Sequence, residues 1–200
     1  MQRNLMAILR GVQPAEVVAI GNGLVAAGIT QIEVPLNSPN ACDSIALLAQ
    51  KLGSKASVGA GTVTSVAEVQ AVHQAGGQFI VSPNCDVDII AATKDMGMAS
   101  YPGVMTPTEC FAALNAGADV LKLFPAFMLG VAGFKAINAV LPKGTQCYAV
   151  GGIDGMDFAS WRQAGIAGFG LASNLYKPGA SAEQVVARAE LLVQAWDNNL

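Results

Sequence analysis

Charge is the scarcest commodity in this chain. Asp, Glu, Lys and Arg make up 12% of its 200 residues, and the formal net charge is −3. No run of lysine or arginine occurs, which argues against nucleic acid or an anionic membrane as a partner. An anionic small molecule would have to be held by local groups, not by the overall field. There is one histidine, His73, in the helical context Ala71–Ala75, where a partly exposed helix position is expected. The four cysteines (Cys42, Cys85, Cys110, Cys147) form no CxxC pair and no cluster with the histidine. Neither a zinc site nor a disulfide scaffold is therefore suggested, and the thiols read as buried small apolar side chains. Cys85 follows Ser82-Pro-Asn84 near the mouth, but the buried apolar reading is favoured for it as well. The first ten residues hold too short an apolar run for a signal peptide. No uncharged apolar stretch has the length of a membrane span, so a cytoplasmic location is expected.

Hydrophobic side chains, by contrast, are 52% of the total, enough for one large domain with a well-developed core. Short apolar runs alternate with helical patterns. Strand candidates centre on Ile8, Ile32, Val58, Ile80, Ser100, Leu121, Tyr148 and Phe169, at intervals of 20 to 27 residues by subtraction. Each interval suits a strand, a loop and a helix. Helix starts are legible at Pro14, Ser38-Pro39, Thr64-Ser65, Thr106-Pro107 and Ser181, where a small polar cap or a first-turn proline is favoured. Helix ends carry glycine, in Ala27-Gly28, Ala75-Gly76, Met96-Gly97, Ala116-Gly117 and Ala164-Gly165. Eight such units without a linker predict a (β/α)8 TIM barrel of the α/β class, one domain over residues 1–200. An open doubly wound sheet is the alternative.

Lys122 stands out within Asp119-Val-Leu-Lys-Leu-Phe-Pro125, an apolar stretch that reads as a buried strand. Burying an unpaired ammonium costs several kcal/mol, and desolvation favours the neutral amine. A neutral amine is a nucleophile for carbonyl carbon, which points to Schiff-base chemistry on a keto substrate. The structural alternative is an edge lysine that snorkels to water or pairs with a carboxylate.

In such a barrel, chemistry sits at the C-terminal ends of the strands on inward-facing positions. Strand alternation puts Val120, Lys122 and Phe124 inward, with Gln31, Glu33 and Pro35 on the second strand. The same reasoning predicts Ile8 and Arg10, Ala60 and Thr62, and Ile80 and Ser82 as inward pairs. Glu33 is then the natural general base, or a salt-bridge partner of Lys122 or Arg10. Arg10 offers a planar fork suited to a carboxylate, or a rim pairing. Val150-Gly151-Gly152-Ile-Asp154 and Gly168-Phe-Gly170-Leu-Ala-Ser173-Asn174 follow the seventh and eighth strands. Loops there often bind phosphate through backbone N–H groups, and Ser173 can add a hydroxyl. Phe111, Phe134, Trp161 and Trp196 fit helix-to-barrel or subunit packing.

At these residues the sequence resembles the class I aldolases of 2-dehydro-3-deoxy-6-phospho-sugar acids. The resemblance runs essentially end to end. It is carried by Ala7-Ile-Leu-Arg-Gly11, Ile32-Glu-Val-Pro-Leu-Asn-Ser-Pro39, Val58-Gly-Ala-Gly-Thr-Val63, Val81-Ser-Pro83-Asn84, Leu121-Lys-Leu-Phe124-Pro125, Val150-Gly-Gly-Ile153 and Gly170-Leu-Ala-Ser173. It implies a Schiff-base lysine at Lys122 and a proton shuttle at Glu33. It implies substrate contacts at Arg10, Thr62, Pro83, Phe124, Val150, Gly151, Gly152, Gly170 and Ser173, with the phosphate at Gly151, Gly152 and Ser173. It also implies a homotrimer and no metal or organic cofactor.

Gluconate-type members of that family carry threonine before the Gly-Gly pair and arginine four residues after the shuttle glutamate. Here Val150 and Asn37 stand at those positions, a combination similar to the galactonate-type members. The expected activity is reversible cleavage of 2-dehydro-3-deoxy-6-phosphogalactonate to pyruvate and D-glyceraldehyde 3-phosphate. Alternatives are the gluconate-epimer activity, a phosphosugar isomerase or epimerase, and a non-catalytic sugar-phosphate-binding barrel. No second inward carboxylate and no inward histidine offers itself for isomerisation.

Overall fold

The computed structural model describes residues 3–199. The chain runs β1 (Leu5–Ile8), α1 (Pro14–Ala27), β2 (Gln31–Pro35), α2 (Ala41–Leu52), β3 (Ser57–Gly61), α3 (Val66–Gln74), β4 (Phe79–Val81) and α4 (Val87–Asp95). It continues through β5 (Ala99–Tyr101), β6 (Gly103–Val104), α5 (Pro107–Asn115), β7 (Leu121–Leu123) and α6 (Ala126–Asn138). It closes with β8 (Cys147–Val150), α7 (Phe158–Gln163), β9 (Gly168–Leu171) and α8 (Ala182–Asp197). The nine strands form one parallel sheet in the order β5-β4-β3-β2-β1-β9-β8-β7-β6. Its two ends, β5 and β6, are one run of chain divided by Pro102, which has no N–H to give a ladder. The Pro102 carbonyl accepts from Lys122 N at 2.9 Å, and the Ser100 carbonyl from Asp119 N at 3.0 Å. These bonds close the sheet, so the predicted eight-unit barrel is the observed fold.

All eight predicted strand centres fall within strands. The five predicted glycine stops, Gly28, Gly76, Gly97, Gly117 and Gly165, all have positive φ, between 71° and 99°. That is the left-handed turn an L side chain resists. Ser65, Thr106 and Ser181 each cap a helix by accepting a backbone N–H three residues on. The Ser38-Pro39 start is corrected: α2 begins at Ala41, after Asn40 in a left-handed conformation. The Ser38 hydroxyl is engaged elsewhere, accepting Gly11 N at 2.8 Å.

Two apolar layers result. Ile32, Val34, Val58, Ile80, Leu121, Leu123 and Phe169 face the helices, and Phe134, Trp161 and Trp196 pack there too. Phe111 is 39% exposed, so it is the predicted packing aromatic that fills no core position. Met6, Ile8, Phe79, Val81, Tyr101, Val120, Tyr148 and Val150 fill the barrel. Two predicted facings are therefore reversed. Ala60 and Ile80 look toward the helices, whereas Gly59, Gly61, Phe79 and Val81 look inward. Both strands are apolar on both faces, as parallel strands sandwiched by helices are, so the sequence lacks the alternation that fixes parity.

Large and small residues alternate within the barrel. A Cβ on Gly59 would run into Phe79, one on Gly168 into Tyr148, and one on Gly170 into Val150 and Ile8. At the lower end, Gln31 receives the Tyr148 hydroxyl at 3.3 Å and donates to Tyr101 at 3.4 Å. This end is plugged by satisfied polar groups and by rings packed tilted and edge-to-face, leaving the C-terminal end for chemistry.

Candidate active site

Lys122 is the middle residue of β7, flanked by Leu121 and Leu123, both wholly buried against the helices. Alternation turns its side chain into the barrel. It is 7% exposed, and its Nζ lies 3.5 Å from the Ser82 carbonyl and 4.6 Å from the centre of the Phe124 ring. Burial is the main influence on its pKa and pushes it below the ordinary lysine value. Glu33 opposes that shift, and Arg10 adds to it.

Glu33 projects inward from the centre of β2 and is 2% exposed. Its register partner on β3 is Gly59, and Gly61 follows beside Pro35. Any Cβ on Gly61 would overlap the Glu33 carboxylate, so the glycine makes the room that the acid occupies. Burial raises the Glu33 pKa most strongly; Lys122 and Arg10 pull it back down. The alternative reading of Glu33, a salt bridge to Lys122 or Arg10, is not realised: the ion pairs within 4.0 Å among the described residues are Arg3–Asp197 and Lys94–Asp119, both remote from the barrel interior. Glu33 Oε2 is buried with no hydrogen-bond partner among the described residues. An acceptor left so is costly unless a ligand or water donates to it. An amine driven toward neutrality thus faces the same barrel interior as a carboxyl driven toward protonation, an arrangement typical of acid–base sites.

Above this pair lies the rim. Arg10 follows β1 and is exposed. Its Nη1 donates to Asn37 Oδ1 at 2.6 Å, and the guanidinium approaches Thr62 Oγ1 at 3.4 and 3.5 Å. Thr62 reaches the rim for a reason the strand pattern does not contain. Gly61 already faces inward, so a continuing strand would send Thr62 outward. Instead Thr62 adopts φ 58°, and the chain turns there. For a β-branched residue this conformation costs about 1–3 kcal/mol, and such strain concentrates at functional sites. Ser82, predicted inward, is buried and meets Lys122 through its carbonyl. Pro83 follows it, with its own carbonyl packed where a Cβ on Gly103 would sit.

On the far side, Val150 ends β8 facing inward, and Gly151 and Gly152 follow with φ 94° and 70°. A Cβ on Gly152 would press on Phe127 at 2.8 Å. The loop after β9 is tied to this one by Asn174 Nδ2, which donates to the Ile153 carbonyl at 3.0 Å. Ser173 is exposed beside it, opening a single helical turn closed by Leu175 N and Tyr176 N onto the Ala172 carbonyl. Among the described residues, the N–H groups of Gly152, Ser173 and Asn174 find no acceptor. Gly170 lies lower, inside the barrel, where its missing side chain gives Val150 space. A cleft of about 250 Å³ joins Arg10 and Gly11 to Ser173, Lys177 and Pro178.

Cys85 turns away from the mouth. Its thiol donates to the Glu109 carbonyl at 3.5 Å and packs on the helix side. His73 is exposed on α3, as its context predicts. Among the described residues, no three His, Cys, Asp or Glu side chains converge as metal ligands. Sequence reasoning missed three contributors: the Ser82 carbonyl, Gly61 and the partnership of Asn37 with Arg10. A main-chain carbonyl leaves no signal in a sequence. Gly61 was visible within Gly59-Ala-Gly61, but its role depends on strand parity.

A barrel that turns a buried strand lysine and an unpartnered carboxyl oxygen into its interior has the equipment of an acid–base enzyme site. Sequence comparison narrows the class. The family model "Aldolase: KDPG and KHG aldolase" matches residues 1–183, and the chain belongs to that family. It is 45% identical to the probable 2-dehydro-3-deoxy-6-phosphogalactonate aldolase of Rhizobium meliloti, over 98% of this chain and 93% of that protein. It is 42% identical to the 2-dehydro-3-deoxy-6-phosphogalactonate aldolase of Escherichia coli, over 96% of this chain and 94% of that one. A solved structure described as native KDPGal superposes with a TM-score of 0.97 at 41% identity, covering 100% of this chain and 97% of the other.

Proposed function

We propose that the protein is a class I aldolase that reversibly cleaves 2-dehydro-3-deoxy-6-phosphogalactonate to pyruvate and D-glyceraldehyde 3-phosphate. The observation that carries this reading is the buried Lys122 amine, with no ion-pair partner among the described residues, facing the same barrel interior as the unpartnered Glu33 oxygen. In the cleavage direction the neutral amine adds to the C2 carbonyl, and loss of water gives an iminium. Glu33 removes the C4 hydroxyl proton, the C3–C4 bond breaks, and its electron pair moves into the iminium to leave an enamine. Glyceraldehyde 3-phosphate departs. Protonation of the enamine at C3 and attack by water then release pyruvate and restore the amine. A carboxyl whose pKa is raised by burial suits both proton transfers.

In this reading Arg10 and Thr62 take the pyruvyl carboxylate, and Pro83 and Phe124 flank the reacting carbons. The phosphate goes to Gly151, Gly152 and Ser173, where the N–H groups of Gly152, Ser173 and Asn174 have no acceptor among the described residues. That remote anion anchors the substrate so that its binding energy orients the C3–C4 bond. Val150 lines the chamber without a hydroxyl, which favours the galactonate configuration at C4 over its epimer. The names of the two relatives above agree with that assignment.

A homotrimer in the cytoplasm belongs to the same reading. Phe127 and Met128, adjacent at the head of α6 and 67% and 64% exposed, supply an apolar surface for a second copy. No helix among the described residues is long and apolar enough to cross a membrane.

The test is a paired cleavage assay on the two epimeric 6-phosphates, with pyruvate release as the readout. A higher kcat/KM on the galactonate epimer is expected. A preference for the gluconate epimer would overturn the substrate assignment, and no pyruvate from either would overturn the activity.

A further inference from the structure

We infer that Asn37 is the positioning residue for Arg10: its uncharged side-chain oxygen aims the guanidinium across the barrel mouth while leaving the positive charge free for a keto-acid carboxylate. This rests on the functional reading above and adds a residue to it.

Arg10 is exposed beyond the end of β1, on a long side chain with several rotatable bonds. Left alone it would sample many directions, and a carboxylate would have to order it on binding. The 2.6 Å bond to Asn37 Oδ1 is the short contact that fixes it, since the approaches to Thr62 are 3.4 and 3.5 Å. A hydrogen bond from a charged donor is the stronger kind.

Asn37 is exposed, but the backbone on either side of it is anchored. The turn that bears it is tied at both sides: Leu36 N donates to the Gly61 carbonyl at 2.8 Å, and Ser38 N to the Pro35 carbonyl at 2.9 Å. Ser38 Oγ then accepts Gly11 N at 2.8 Å, so the residue after Asn37 is fastened to the residue after Arg10. Two neighbouring loops are stapled next to the contact between their side chains. This accounts for Ser38, which caps no helix and is nonetheless buried.

The choice of an amide matters. An aspartate of the same shape would accept the same hydrogen bond but would neutralise the guanidinium and compete with the substrate's carboxylate. Among the described residues, no carboxylate forms an ion pair with Arg10. Arg10 is thus oriented without being spent.

The experiment measures the KM and kcat for enzyme-catalysed exchange of pyruvate methyl protons with deuterated water. The variants are Asn37→Ala, Asn37→Asp, Arg10→Met and the Arg10→Met/Asn37→Ala pair. Asn37→Ala is expected to raise the KM about fivefold, with kcat changed less than about twofold, as for one exposed charge-assisted bond. Asn37→Asp is expected to raise it at least as much, and Asn37→Ala to add nothing once Arg10 is gone. A wild-type KM in either single Asn37 variant overturns the inference. So does an undiminished effect of Asn37→Ala on the Arg10→Met background. Borohydride trapping of wild type with pyruvate separates the two levels. A trapped wild type leaves only the Asn37 assignment at stake, whereas an untrapped one overturns the aldolase reading and this inference with it.

Discussion

Gly61→Ala isolates the geometry of Glu33, the proposed acid–base group, from its chemistry. The glycine faces the chamber, and its φ lies outside the left-handed region, so alanine is acceptable to the backbone. The added methyl would overlap Glu33 Oε1 and Cδ and come within 2.9 Å of Cγ. Relief requires the carboxyl to move by about 1 Å or more, and a displacement of that size typically costs on the order of 100-fold in rate. Removing a general acid–base group altogether costs about 100- to 10,000-fold, which bounds the effect from above. Overpacking of this kind destabilises by about 1–3 kcal/mol, which a thermal melt will register without abolishing the fold. The assay is steady-state cleavage of the galactonate epimer, run beside borohydride trapping of pyruvate. Turnover should fall about 100-fold while the trapped fraction stays within about threefold of wild type. Wild-type turnover in a folded Gly61→Ala protein would refute the claim that this glycine seats the catalytic carboxyl.

Three further outcomes follow from the same geometry. Glu33→Gln should keep trapping but lose about 100- to 10,000-fold in turnover, since the amide cannot cycle a proton; full turnover would remove Glu33 from the mechanism. Trapping at Lys122 should increase with pH. Burial lowers its pKa, so the neutral amine accumulates as pH rises through a midpoint below 10.5. A midpoint at or above that value would contradict a desolvated amine. Val150→Thr, which adds a hydroxyl inside the chamber, should raise the gluconate-to-galactonate ratio of kcat/KM about tenfold, and an unchanged ratio would detach Val150 from specificity.

Much of this architecture was legible in the chain. The strand centres and glycine stops needed only periodicity and turn chemistry, because each short β/α unit repeats the same local logic. Lys122 was legible because a charge in an apolar run has few innocent explanations, and Glu33 because β2 alternates clearly through Gln31, Ile32, Glu33 and Val34. Parity failed at Ala60 and Ile80, where both faces of the strand are buried and no polar residue marks the register. Thr62 was assigned to the mouth although its strand points the wrong way, and the positive φ that brings it there is invisible in a threonine codon. Ser38-Pro39 resembles a helix start but serves as a staple between loops, a tertiary use that no local pattern announces. Asn37 was legible only as the absence of an arginine; its meaning came from the neighbour it holds.

The most direct measurement is the location of the covalent bond. Incubation with pyruvate and borohydride, followed by peptide mass mapping, should place one reduced pyruvyl adduct on Lys122 and none on Lys94, Lys135 or Lys177. An adduct on any other lysine, or no adduct at all, would contradict the account at its root.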